Sequence, residues 1–221
     1  MEQIGKTLEH FPRNTQTQAI YDFPEDDPDY HPPSKEERRA EWLLRYLGVT
    51  DLDNTFANMK HPEGFEQTFK AFTEMADGAS WYMLLVYGRT GNGKSLCCEA
   101  LVIDLFDKGR GAKRERWADI VRHLKELMKT GGYEDYITKL RSRKTLILDD
   151  VGGGSTLGVW EWGELEDIVD YRLEQRLTTV ITTNVDGKDI PERVISRFKD
   201  KTRARIICNK AEDFRPKKQR R

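Results

Sequence analysis

No apolar run in this sequence approaches the length needed to span a bilayer, and its start lacks the basic-then-apolar pattern of a secretory signal. A membrane role is therefore not expected, and a cytoplasmic home is. Cysteine is scarce: Cys97, Cys98 and Cys208 make an odd number without metal-like spacing. That argues against a disulfide scaffold and reads as three small core residues in a reducing compartment. His10, His31, His61 and His123 have no cysteine near them, which argues against a structural zinc site. Neither sign of charge dominates, since the formal net charge is −1. The charges are unevenly placed, however. Residues 22–29 (DFPEDDPD) hold five acids and no base, while Lys210–Arg221 holds six bases against Glu212 and Asp213. An acidic start and a basic end suggest two different partners, the end favouring a polyanion, or simply two solvated termini. Internal repeats are missing too. What remains is a polar chain of 221 residues, room for one α/β domain with a modest appendage.

The most informative stretch is Trp81–Ser95, WYMLLVYGRTGNGKS. An apolar strand runs into Gly88-Arg89-Thr90-Gly91-Asn92-Gly93-Lys94-Ser95, the pattern of a phosphate-binding P-loop. Its glycines let successive backbone N–H groups turn toward a β-phosphate, and a Cβ would block that approach. Lys94 has the reach to serve the β- and γ-phosphates, and the Ser95 hydroxyl suits Mg²⁺. The following SLCCEALVIDLF reads as a helix whose N-terminus faces the anion. A nucleotide, ATP with Mg²⁺, is the expected cofactor.

Ahead of this motif, residues 1–33 are rich in proline and poor in periodicity. Ser34-x-x-Glu37 forms a capping box opening an amphipathic helix to Leu47, stopped by Gly48. Ala40, Leu43, Leu44 and Leu47 make its apolar stripe, which packs on the main domain or meets a partner. From Asp51 on, strands and helices alternate, which predicts a parallel sheet covered on both faces. Strands are expected at 81–87, 113–117, 144–149, 178–183 and 203–208. Helices are expected near 63–76, 94–107, 119–130, 134–142, 160–175 and 188–199.

Thr145–Gly152 (TLILDDVG) reads as a central strand delivering two carboxylates to its C-terminal end, where α/β sheets bind ligands. Asp149 suits the Walker B task of holding Mg²⁺ through water, and Asp150 stands where a carboxylate orients the attacking water. The strand Thr178–Thr183 ends in Asn184, a polar group placed to sense the γ-phosphate. Arg193 and Arg197 follow, one helical turn apart on one face, either an arginine finger for a neighbouring subunit or a surface salt-bridge pair.

Together these pieces resemble the AAA+ ATPase domain of bacterial replicative-helicase loaders of the DnaC/DnaI type and their phage relatives. The resemblance runs from Phe56 to Arg215 and rests on Thr55-Phe56-Ala57-Asn58, GRTGNGKS, LILDDVG, VITTN, Arg193-Val194-Ile195-Ser196-Arg197 and Asp213-Phe214-Arg215. It implies a P-loop NTPase with a five-stranded parallel sheet flanked by helices, a short N-terminal extension (1–50), an AAA+ domain (51–215), no C-terminal helical lid and a basic tail (216–221). It implies Arg197 as the finger acting in trans with Arg193 beside it, and Arg215 as a second sensor. A replicative DNA helicase, single-stranded DNA and further copies of the chain are the implied partners, inside a bacterium or phage-infected host. Against the family's longer helicase-gripping N-terminal domain only residues 1–50 are available here, so a smaller or different docking is expected. Asp150 stands where many such ATPases have Glu, although loaders of this type often show Asp-Asp.

In such loaders the helices corresponding to 119–143 touch single-stranded DNA. Here they hold Arg122, His123, Lys125, Lys129, Lys139, Arg141 and Arg143, with Tyr133 or Tyr136 as stacking faces, but also Glu126, Glu134 and Asp135. A solvated face is an equal reading. Three other functions stay open: a transposition-helper ATPase of the IstB type, a P-loop kinase for a small molecule, and an adaptor that no longer hydrolyses. Asn184 and Arg215 argue against the kinase, and intact Lys94, Ser95 and Asp149 against the adaptor.

Overall fold

A computed structural model describes residues 33–153 and 157–213. The acidic run 22–29, Arg215 and the basic tail 216–221 lie outside the described residues. The chain divides into two units, Met1–Ala40 and Glu41–Arg221. Helix α1 (Lys35–Glu41), all but its last residue in the first unit, opens on the expected capping box. The Glu37 N–H donates to Ser34 Oγ at 3.1 Å and the Ser34 N–H to the Glu37 carboxylate at 2.7 Å. These bonds hold the Glu37 carboxyl below its ordinary value.

The second unit departs from the expected helix at once. Trp42–Tyr46 is a π-helical turn, with the Leu47 N–H reaching back to the Trp42 carbonyl at 3.1 Å. Widening the turn shifts the phase of the apolar face, so Leu43 is fully buried while Leu44 stays in solvent. Gly48 then ends the segment at φ +81°, a conformation that a side chain would resist.

Helix α2 (Glu66–Ala76) starts later than predicted because Pro62 and Gly64 form a turn, closed by the Phe65 N–H on the Pro62 carbonyl at 3.1 Å. Next come β1 (Met83–Tyr87), α3 (Lys94–Asp107), β2 (Lys113–Arg116), α4 (Trp117–Thr130), α5 (Tyr133–Arg141) and β3 (Thr145–Val151). They are followed by α6 (Val159–Glu174), β4 (Thr178–Thr183), α7 (Glu192–Ser196) and β5 (Ala204–Cys208). Helix α7 is much shorter than the expected 188–199. Pro191 cannot continue a helix, so it sits at the N-cap, and residues 197–199 close with tight i→i−3 bonds.

All five strands are parallel in the order β2-β3-β4-β1-β5. The middle of the sheet is therefore β4, and β3 is an interior strand beside it, as the sequence suggested. Strand alternation splits the core. Leu84 and Val86 of β1 face Phe72, Met75, Leu101 and Leu105 of α2 and α3, while Met83 and Leu85 belong with Trp117, Ile120, Leu165, Ile168 and Phe198. Burial on both faces is why the interior strands β1 and β3 read as apolar runs, whereas the edge strand β2 (KRER) does not. Cys97 and Cys98 are core residues as expected, whereas Cys208 is only half-buried.

Candidate functional site

Strand order converts separate motifs into one site. Strand β1 ends in the P-loop, β3 ends in the two aspartates, and β4 lies hydrogen-bonded between them. Thr182 and Asn184 are thus delivered between phosphate loop and acids. A cavity of about 420 Å³ is lined by Thr90–Leu96 together with Asp150, Thr182 and Asn184. An adjoining hollow meets Arg89, Thr90, Asn184, Glu212 and Asp213. Glycine suits position 91 because its φ of +76° strains other residues, and a Cβ there would also displace the Asp213 carboxylate.

Lys94 begins α3 and is buried, its Nζ donating to the carbonyls of Gly88 (2.8 Å) and Arg89 (2.6 Å) and to Asn92 Oδ1 (3.0 Å). An incoming phosphate must compete with these acceptors. The loop itself is clasped to the end of β5. Asn92 Nδ2 donates to the Asn209 carbonyl at 3.2 Å, and Asn209 Nδ2 returns a bond to the Asn92 carbonyl at 2.8 Å. Both side chains are buried, so the bonds replace water the amides have lost.

Asp149 is 1% exposed and fully engaged. Its Oδ1 accepts from Ser95 Oγ at 3.1 Å and from Thr182 Oγ1, while Oδ2 accepts from Arg114 Nε (2.9 Å) and Nη2 (2.6 Å). Cys98 lies beneath the same carboxylate, and burial followed by the Asp149 charge pushes its thiol well above the ordinary value. The next residue turns the other way. Between Leu148 and Val151 the β3–β4 register slips by one residue, a bulge, and Asp150 takes φ +57° with its N–H on Thr182 Oγ1 at 3.0 Å. The strained turn aims Asp150 into the cavity and leaves Asp149 in the sheet. Ser95 and Asp149 thus present two hard oxygens at the loop. Among the described residues no cluster of His, Cys, Asp or Glu would hold a metal unaided, and Mg²⁺ bound mainly through phosphate and water needs none.

Neither Arg193 nor Arg197 lines this cavity. Both lean on the acidic face of α6, Arg197 in a fork on Asp170 and Arg193 at 3.9 Å from Glu166. The Asp170 hydrogen bonds raise the pKa of Arg197. In the α4–α5 pair the expected stacking faces are half-buried. Tyr136 donates to Glu115 at 3.1 Å and meets the His123 ring at 4.6 Å, and Tyr133 packs on the core. Lys125 is paired with Glu161 at 2.9 Å and Arg141 lies over Tyr171.

Sequence reasoning gave no role to Thr182, Arg114, Glu99 or Asn209. VITTN contained the threonine, but nothing in the motif showed that β4 would separate the P-loop from the acids.

No family model matches the chain. A segment of 122 residues, 55% of the chain, is 26% identical to the replicative helicase loader DnaI of Bacillus subtilis (strain 168), of which it spans only 38%. Among solved structures, AMPPCP-bound DnaA from Aquifex aeolicus superposes with a TM-score of 0.63 at 18% identity, covering 72% of this chain and 50% of that one. A structure of the DnaC helicase loader gives 0.60 at 20% identity, covering 72% and 98%. The fold matches the AAA+ P-loop domains of DnaA and DnaC, and the likeness to DnaC/DnaI-type loaders read from the motifs recurs in both comparisons.

Proposed function

We propose, from an AAA+ domain of DnaC/DnaI likeness, that this protein is an ATP-driven switch that places a ring-shaped replicative helicase on single-stranded DNA. The carrying observation is the meeting of P-loop, Asp150, Thr182 and Asn184 around one cavity, with Asp149 buried behind it on Ser95 and Thr182. In this reading Gly88–Ser95 cradle the phosphates of ATP, and Lys94 trades its loop carbonyls for β- and γ-oxygens. Ser95 and Asp149, directly or through water, would hold Mg²⁺, which neutralises phosphate charge. Asp150 orients the water that attacks the γ-phosphorus, and Asn184 reports on that phosphate. Arg197, held by Asp170, serves the site of a neighbouring copy, with Arg193 as the alternative and Arg215 as a second sensor. The exposed bases of α4–α5 face single-stranded DNA, and the N-terminal extension docks the helicase.

An arginine finger and a P-loop lysine spoil different halves of a shared site. Lys94→Ala is expected to lose ATP binding, and Arg197→Ala to bind ATP but lose about 10³-fold or more in turnover. A mixture of the two should recover part of the activity. Wild-type turnover by Arg197→Ala alone, or no recovery from proteins that still assemble, refutes the finger. Co-purification of a replicative helicase from host lysate supports the loader, and co-purification of a transposase instead refutes it.

A further inference from the structure

Asp149 divides its oxygens between two clients. Oδ1 faces Ser95 and the phosphate loop, whereas Oδ2 is taken wholly by Arg114 of β2. The same guanidinium continues away from the site. Its Nη1 lies 3.2 Å from Glu99 Oε1 and donates to the Gly48 carbonyl at 2.6 Å. Glu99, on α3, is in turn wrapped by the segment that follows the π-helical turn. The Thr50 N–H (2.9 Å), the Asp51 N–H (3.3 Å) and Asn54 Nδ2 (3.0 Å) all donate to Oε2, and Thr50 Oγ1 donates at 2.8 Å to Oε1. The Arg114 N–H completes the contact on the Leu47 carbonyl at 3.0 Å. The three charged side chains are 8%, 4% and 1% exposed, so one buried cation serves two buried carboxylates.

We infer that Arg114 is a positioning residue for the Mg²⁺–nucleotide site, and that through Glu99 it ties that site to the Gly48–Asn54 segment. The inference rests on the nucleotide reading above. Charge balance supplies the coupling. A divalent cation drawing on Oδ1 weakens the hold of Asp149 on Arg114, and the guanidinium then leans on Glu99, whose remaining acceptor capacity is what fastens Thr50 and Asp51. Arginine is required because one planar fork reaches Asp149, Glu99 and the Gly48 carbonyl at once. A lysine ammonium is a single point on a flexible stem.

The test titrates a fluorescent ATP analogue into the full chain in Mg²⁺ and in EDTA. For Arg114→Lys the enhancement of affinity by Mg²⁺ is expected to fall about 10- to 100-fold, the usual cost of removing an outer-shell partner of a metal ligand, with affinity in EDTA held within about twofold. An undiminished Mg²⁺ enhancement overturns the positioning role. Hydrogen exchange of the wild type then reads the coupling without relying on that variant folding. ATP with Mg²⁺, but not ATP with EDTA, should change exchange at the Thr50 and Asp51 amides by about threefold or more, and Glu99→Gln should remove the response. Exchange indifferent to Mg²⁺, or the same response in Glu99→Gln, overturns the link. Failure of the nucleotide reading is separate: it shows as wild type that binds no analogue in either buffer.

Discussion

Replacing Thr182 by valine keeps the shape of the side chain and removes two hydrogen bonds at the junction of the aspartates. Thr182 is 1% exposed, so its hydroxyl relies on protein partners. Its Oγ1 donates to Asp149 Oδ1 and accepts the Asp150 N–H at 3.0 Å. A bond to a charged group contributes about 1.5–3 kcal/mol, and a buried N–H left unpaired costs about 1–3 kcal/mol. Asp149 keeps Ser95 and the two Arg114 donors, which places its share at the lower end. The expected loss for Thr182→Val is about 3 kcal/mol, or about 6–12 °C in Tm for a chain of this size. Thr182→Ser keeps the hydroxyl and drops a methyl group, so about 1 kcal/mol is expected. Urea melts followed by tryptophan fluorescence measure both. A valine variant within about 0.5 kcal/mol of wild type, or a serine variant as damaged as valine, would refute the claim that the hydroxyl holds the two acids.

Two further expectations follow from buried groups. Arg172 on α6 is fully buried, with burial lowering its pKa to about 9, and it donates to the carbonyls of Arg141 (2.7 Å), Arg143 (2.7 Å) and Thr178 (2.5 Å) and to Thr179 Oγ1 (2.8 Å). Arg172→Met strands those acceptors and should cost about 3 kcal/mol in a urea melt, a loss below about 1 kcal/mol counting against the clamp. Cys97 and Cys98 are buried with thiols pushed up by burial, while Cys208 is half-buried. A chromogenic disulfide reagent should therefore find about one reactive thiol in the native protein and all three in denaturant; fast reaction of more than one in the native state contradicts the packing.

The legible features were those carried by contiguous residues. Gly88–Ser95 announces its loop because phosphate binding needs glycines, a lysine and a hydroxyl at fixed offsets along one turn. Capping by Ser34 and Glu37 was legible for the same local reason, as were β1 and β3, whose burial on both faces writes an apolar run into each. The short α7 was partly legible, since Pro191 marks its start, but its early end is a matter of packing. The widened turn at Trp42–Tyr46 and the bulge at Asp149–Asp150 were not, because one residue of extra backbone leaves no compositional trace.

The sequence by itself determined the chemistry on offer: a phosphate loop, two acids at a strand end, a polar residue after another strand, and the AAA+ likeness that joins them. Tertiary structure alone decided how they meet. Only the insertion of β4 between β1 and β3 puts Thr182 on both aspartates, and only the β1–β5 pairing brings Asn209 to Asn92 across 117 residues of chain. Arg114 reads as one basic residue in an edge strand until the sheet sets it between Asp149 and Glu99. A buried charge takes its role from the partners that neutralise it, and the chain order of those partners says nothing about their distance in space.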